Sequence, residues 1–406
     1  MITAERATGR WSGSGRAQPA RHRAATEGFS LIELLVGLAI GLLLIAAVLQ
    51  LFVGSRATFN ATEALARAQE SGRFAIATIS PTIRSSAIGG VCGGNARLRT
   101  HIDLSDDAAD ALLSPVHAVR GWDYRNTGIG QTIVLDNLTP GASAASEWQG
   151  GGNIGDLPAV IADLAVPFSD VLLVRQIRPV SNITAEATNL QDMDRLDVTG
   201  AGADQINQCD LILVTNCNQA DLFQVSSVNS GELFRRTTGP CAPGNVAGII
   251  AGPGSPEVFW SRNYGTATQF HRFESRAFFV GQGLSGEPAL FSATFGRGLT
   301  SPRIEELVDG IENMQILFGY SFPGDASPPG DGQSVNEWLT AQTVPNWEYV
   351  VAVRIGLLAR SPRAVASGAA AQTFDIALTN VTHPADAALR QPHNVTLSLR
   401  NRQIIR

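Results

Sequence analysis

The sequence predicts an α+β protein: a long N-terminal helix (membrane anchor plus amphipathic half) packed on a mainly antiparallel β-rich globular region. Three observations predict it. Leu34 to Val53 carries no formal charge, and twenty apolar residues in a helix cover about 30 Å, the thickness of a bilayer's hydrocarbon core. Leu65, Ala68, Gly72, Ile76, Ile79 and Ile83 then step by three or four residues, giving one apolar stripe. From about Gly89 the texture changes to short β-type runs separated by Gly, Pro, Asn and Asp.

Composition narrows the function classes. A chain of 406 residues has room for about two domains. Its charged fraction of 16% lies below the usual value of about 25% and argues against a charged, disordered chain. A net charge of −6 speaks against a basic nucleic-acid-binding domain. All 30 basic residues are Arg, which excludes a Walker-type phosphate loop and a lysine Schiff base. Five of them, Arg6, Arg10, Arg16, Arg21 and Arg23, precede the apolar run. That positive flank keeps the start cytoplasmic and exports the rest.

The apolar run is too long for a cleaved secretory signal, whose core has about 7–15 residues before a small-x-small site. Ala46-Ala47 lies inside the run and is followed by Val48-Leu49. A plain signal anchor fits the length but leaves Glu33 unexplained, because a carboxylate at the start of a membrane helix is costly without a partner. Gly28-Phe29-Ser30-Leu31-Ile32-Glu33-Leu34-Leu35-Val36 resembles the processing motif of type IV pilins. The resemblance implies that a prepilin peptidase cuts between Gly28 and Phe29 and methylates the new N-terminal Phe29. Glu33 is then the fifth mature residue, and its carboxylate neutralises the Phe29 amine in an apolar setting. The resemblance further implies that this pair forms between neighbouring subunits and sets their axial register. The leader holds five Arg against Glu5 and Glu27, so its removal lowers the net charge by three, from −6 to −9.

Four segments follow: a leader at 1–28, a filament-core or membrane helix at 29–53, its amphipathic continuation at 54–88 and a β-rich periplasmic region at 89–406. Arg67, Glu70, Arg73 and Arg84 fall largely off the apolar stripe, and Pro81 is expected to kink or end the helix. Candidate strands are Thr132–Leu135, Val171–Gln176, Leu211–Thr215, Leu222–Val225, Ala277–Val280, Ala289–Thr294, Met314–Tyr320, Tyr349–Leu358, Gln372–Leu378 and Asn394–Arg400. Arg303–Val308 reads as a short helix leading into the strand near Met314. Gly141–Gly155 and Gly239–Gly254 read as surface loops.

Cys92, Cys209, Cys217 and Cys241 all lie on the exported side, where an oxidising compartment permits two disulfides. Leu211–Thr215 reads as a strand between Cys209 and Cys217. An extended segment of that length separates their Cα atoms by about 26 Å, beyond the roughly 7 Å that a disulfide tolerates. Of the pairings left, Cys217–Cys241 with Cys92–Cys209 is the one expected. No CxxC spacing and no neighbouring His supports a metal site instead.

Further motifs resemble the PilW family of type IV pilus assembly proteins. They are Cys209 to Cys217 with Ala220 to Val225, Glu306 to Ile316 with Phe318-Gly319-Tyr320, Val344 to Arg354, and Leu399-Arg400-Asn401-Arg402. Most of these residues also read as packing: Leu307, Ile311, Met314, Ile316 and Phe318 as core, Asp309-Gly310 as a helix-to-strand turn, Trp347 and Tyr349 as anchors. No catalytic set competes. The six His form no HExxH pair, and there is no GxSxG. Gly281 to Gly286 satisfies GxGxxG but precedes a strand, so it reads as a hairpin loop. Gly324 to Gly332 offers two carboxylates without an EF-hand's ligand pattern.

The resemblance therefore implies a non-catalytic minor pilin without cofactors, which helps to initiate or support pilus assembly in a complex with other minor pilins. Implied partners are the prepilin peptidase, the major and other minor pilins and the assembly platform in the inner membrane, with no nucleic acid. The implied location is the inner membrane, single-pass with a periplasmic C-terminal region, and then the pilus. Two alternatives stand beside it: a minor pseudopilin of a type II secretion system, and an adhesin or ligand-binding ectodomain using the loops at 100–165 and 240–265.

Overall fold

The computed structural model describes residues 28–399 apart from 87–96, 137, 153, 187–193, 230, 238, 248, 251–256, 259, 262, 300–301, 323, 325–332 and 363–369. The chain divides into two units, one up to Arg56 and one from Ala57 onward. Helix α1 (Leu31–Arg84) runs through both. In the first unit the large apolar side chains from Leu31 to Val53 are all exposed.

In the second unit α1 buries Ala64, Ala68, Gly72, Ala75, Ile79 and Ile83. The stripe is turned slightly from the expected one, since Leu65 and Ile76 are only half-buried. Small residues take the deepest positions because a strand comes close: the ring of His393 lies where a Cβ on Gly72 would be. The helix also runs through Pro81 instead of stopping there. A proline in the last turn removes a single ladder bond, and burial of Ser80, Thr82 and Ile83 around it holds the turn.

The main sheet contains β1 (Arg97–Thr100), β2 (Val119–Tyr124), β3 (Val171–Val180), β4 (Leu211–Thr215), β5 (Gln219–Gln224), β6 (Gln269–Gln282), β7 (Pro288–Phe295) and β8 (Arg303–Asp309). Its order is β1-β5-β4-β6-β3-β2, with Trp148–Gln149 beyond β2, while β7 pairs with β6 and β8 with β7. The 14-residue β6 is the hub. One edge runs along β3; the other is shared by β4, at Gln269–Arg272, and β7, at Ser275–Gln282. A second sheet orders Glu337–Leu339, β9 (Ile311–Tyr320), β10 (Val350–Arg360) and β11 (Arg390–Ser398). Pairing is antiparallel in both sheets except between β1 and β5. The main core joins the α1 stripe to both sheets through Trp122, Phe278, Ile316 and Ile355, and a smaller one gathers Val214, Phe223, Trp260 and Phe270.

Three expectations are corrected. Arg303–Val308 is strand β8, because the edge of β7 offers its backbone antiparallel partners from Ala289 to Thr294, with a bulge at Leu307. Asp309-Gly310 therefore turns strand into strand, with Gly310 at a φ of 78°, and carries the chain from one sheet to the other. Gly141–Gly155 is not a free loop, since Trp148 within it is fully buried and donates Nε1–H to the Ser169 carbonyl at 2.8 Å. In the stretch from Gly239, Asn245 is buried and its amide bonds both backbone groups of Gln224, standing in for a neighbouring strand.

Replacing Gly72 with Val should destabilise the globular region by about 1–3 kcal/mol through overpacking. The readout is a lower denaturation midpoint at unchanged slope. His393→Ala in the same chain should recover part of the loss, as contacting residues couple.

Candidate functional site

The N-terminal segment begins with Gly28, Phe29 and Ser30 outside the helix and exposed, Phe29 at 86%. Ser30 is the residue before the first helical turn, and its carbonyl accepts from Leu34 N–H at 3.1 Å. Glu33, three residues on, turns its carboxylate back to accept the Ser30 N–H at 3.2 Å. This is the carboxylate half of a capping box, satisfying a donor that a helix start leaves unpaired. The scissile bond expected between Gly28 and Phe29 thus lies just outside the helix, and Glu33 is already turned toward that end. No charge then occurs until Arg56, so α1 is long and apolar enough to cross a membrane. Gly37 and Gly41 have open space where a Cβ would sit. The sequence reading passed over this spacing, which lets helices approach closely in lipid.

The cysteines depart from expectation. Cys209 pairs with Cys241 at a Cα–Cα distance of 5.3 Å, replacing the expected Cys217–Cys241 and Cys92–Cys209. The β4–β5 hairpin explains it: Cys209 precedes β4 opposite Val225, whose carbonyl accepts its N–H at 2.7 Å and also lies 3.6 Å from Cys241 Sγ. Cys217 sits at the hairpin's other end, between β4 and β5, and is also disulfide-bonded. Cys92 lies outside the described residues, as do His22 and all but Gly324 of the acidic turn 324–332.

The motif residues are placed as packing. Ile311, Met314, Ile316 and Phe318 are buried, Trp347 donates Nε1–H to the Gly151 carbonyl at 2.8 Å, and its ring meets Phe318 edge-on at 4.8 Å. Gly281 to Gly286 spans the end of β6 and the β6–β7 loop, where Gly283 N–H bonds the Glu287 carbonyl at 2.8 Å.

Composition and spacing gave no sign of three buried charged clusters. Glu312, fully buried in β9, meets Arg390 of β11 at 2.6 Å and His383 at 3.3 Å, and Arg390 also holds Asp386 at 2.7 Å. Burial works to raise the Glu312 carboxyl, but hydrogen bonds from His383 and Arg390 outweigh it and leave it below its ordinary value. The Arg390 hydrogen bonds bring Asp386 down to about 2. Asp221 accepts from His101 Nε2 at 2.7 Å, Ser261 Oγ at 2.7 Å and Tyr264 OH at 2.5 Å. Burial holds His101 below its usual range, so a neutral imidazole donates to an ionised carboxylate. Asp123 and Asp170 are buried against neutral donors only: Gln342 N–H for the first, Tyr124 N–H, Thr127 Oγ and Ile316 N–H for the second. Burial pushes Asp123 up to about 6, and burial with the Asp123 charge pushes Asp170 well above the carboxylate range. The three clusters cross-link elements of the fold, and the one around Glu312 also reaches Arg360 of β10 at 3.6 Å.

Residues 277–401 match the family described as Type IV Pilus-assembly protein W, and residues 23–49 match the prokaryotic N-terminal methylation motif. The first match covers the second half of β6 through β11 and leaves Cys209–Val225 outside; the second contains Gly28, Phe29 and Glu33. No curated protein and no solved structure matches the chain. These two matches make the chain similar to PilW-type pilins.

Two outcomes follow from the clusters. Arg390→Met should cost about 3–5 kcal/mol, since Glu312 is left charged, buried and short of its partner; urea unfolding measures it. The pH terms have opposite signs. Asp386, depressed from 3.8 to about 2, contributes stability that is complete above 3.8 and lost as pH falls toward 2. Asp123, raised from 3.8 to about 6, contributes stability that is complete below 3.8 and lost as pH rises through 6. Asp123→Asn should therefore weaken the loss of thermal stability between pH 4 and 6 while leaving the acid limb unchanged.

Proposed function

We propose that this chain is a minor pilin of the PilW type, made as a prepilin and built into a type IV pilus as a non-catalytic subunit beside other minor pilins. One observation carries the reading. A single helix exposes every large apolar side chain from Leu31 to Val53, yet buries Ala64 to Ile83 on its own globular region. Such a helix needs lipid before assembly and neighbouring helices after it. The match to the methylation motif supports removal of residues 1–28 by a prepilin peptidase, and the match at 277–401 supports a pilus role. On this reading the leader stays cytoplasmic, the globular region is periplasmic, and the assembly platform transfers α1 from the inner membrane into the filament. Glu33 exchanges the Ser30 N–H for the Phe29 amine of a neighbouring subunit. The burial of the motif residues Ile311, Met314, Ile316, Phe318 and Trp347 supports a scaffold role.

The test is mass spectrometry of the mature N-terminus in cells with and without prepilin peptidase. An N-methylated Phe29 that disappears with the peptidase is the expected result. An intact Met1, or cleavage after Ala47, would remove the basis for filament assembly.

A further inference from the structure

The tip of the β6–β7 hairpin presents Leu284 99% exposed, more than any other large apolar residue of the globular region among the described residues. The tip is not loose. Glu306 accepts the Leu284 N–H at 2.8 Å, Asp309 accepts from Ser285 Oγ at 3.0 Å, and Ser285 Oγ accepts the Glu287 N–H at 3.2 Å. Two carboxylates from β8 therefore hold an apolar side chain out in water. Beside it lies a cleft of about 370 Å³ between α1 and the ends of β8 and β10, with Phe74, Val308 and Pro362 as its apolar lining. Phe74 is itself 58% exposed. Pinned in this way, knob and cleft lose little conformational freedom when something covers them.

Charge selects the occupant. Within the cleft, Arg360 pairs with Glu287 at 3.0 Å and Arg67 with Glu63 at 2.6 Å. Glu70, Glu306 and Asp309 have no basic partner among the described residues, so the rim is acidic around an apolar centre. A second copy of this chain brings the same acidic rim and, without its leader, a net charge of −9, which sets like charges against each other. We infer that Leu284 and the adjacent cleft form the docking surface for a different subunit, one offering a basic segment with an apolar side chain at its centre. This rests on the reading of the chain as a pilin-type subunit, because the cleft wall from Arg67 to Phe74 continues the helix that assembly is proposed to bury.

The test places the photo-crosslinker p-benzoylphenylalanine at position 284, and separately at position 74, of the full chain in its own host. Irradiated membranes are analysed by mass spectrometry, and sheared filaments are probed for the chain. The expected result is an adduct to a different chain, at a segment containing Arg or Lys next to apolar residues. Its yield should fall about tenfold or more with Glu70→Arg, as for loss of a central contact, and should fall at raised salt. Adducts to a second copy or to lipid, no adduct from membranes that contain the chain, or a yield indifferent to Glu70→Arg would each overturn the inference. Absence of the chain from filaments alongside a basic-chain adduct would instead sink the pilin reading and leave the docking surface standing.

Discussion

One continuous helix has to satisfy two solvents, and the rest of the structure depends on how it does so. Its first half carries no charge between Glu33 and Arg56 and exposes a run of large apolar side chains, and its second half offers Ala, Gly and Ile at helical spacing to a β-rich core. A helix carries its own backbone hydrogen bonds, so it is stable in lipid and against protein alike. The only donors left over are at its start, and there the Glu33 carboxylate reaches back to the Ser30 N–H. Small residues on the buried face bring β11 close enough for His393 to lie on Gly72.

The β-rich region is organised around strands that do more than one job. β6 divides one edge between β4 and β7, so the sheet branches instead of ending. Asp309-Gly310 hands the chain from the first sheet to the second, and Glu312 follows two residues later. Its ion pairs tie β9 to β11 and to the strand ending at His383. Breaking such a buried pair costs far more than making it gains, so the cluster acts as a lock on strand arrangement. The same region carries the family match, which fits a scaffold whose characteristic residues are those that set its packing.

Buried carboxylates elsewhere follow two different logics. Asp221 and Glu312 keep their charge because His, Tyr or Arg donors surround them. Asp123 and Asp170 face amides and hydroxyls, and burial favours their protonated forms. The resulting stability terms oppose one another across the acid range, which favours mildly acid conditions over both extremes.

The anchor is legible in the chain alone. Gly28, Phe29, Glu33 and the uncharged run to Val53 are local in the chain, and their chemistry is legible without a partner. Most strands are legible there too, because alternation and turn residues are local signals. Tertiary structure alone decided the rest. Arg303–Val308 became a strand because the edge of β7 was available to it, and α1 passed Pro81 because burial outweighed one lost hydrogen bond. Cys209 met Cys241 because the β4–β5 hairpin places Val225 beside both. The clusters around Glu312, Asp221 and Asp123, and the cleft beside Leu284, join residues far apart in sequence, and no spacing along a chain encodes that proximity.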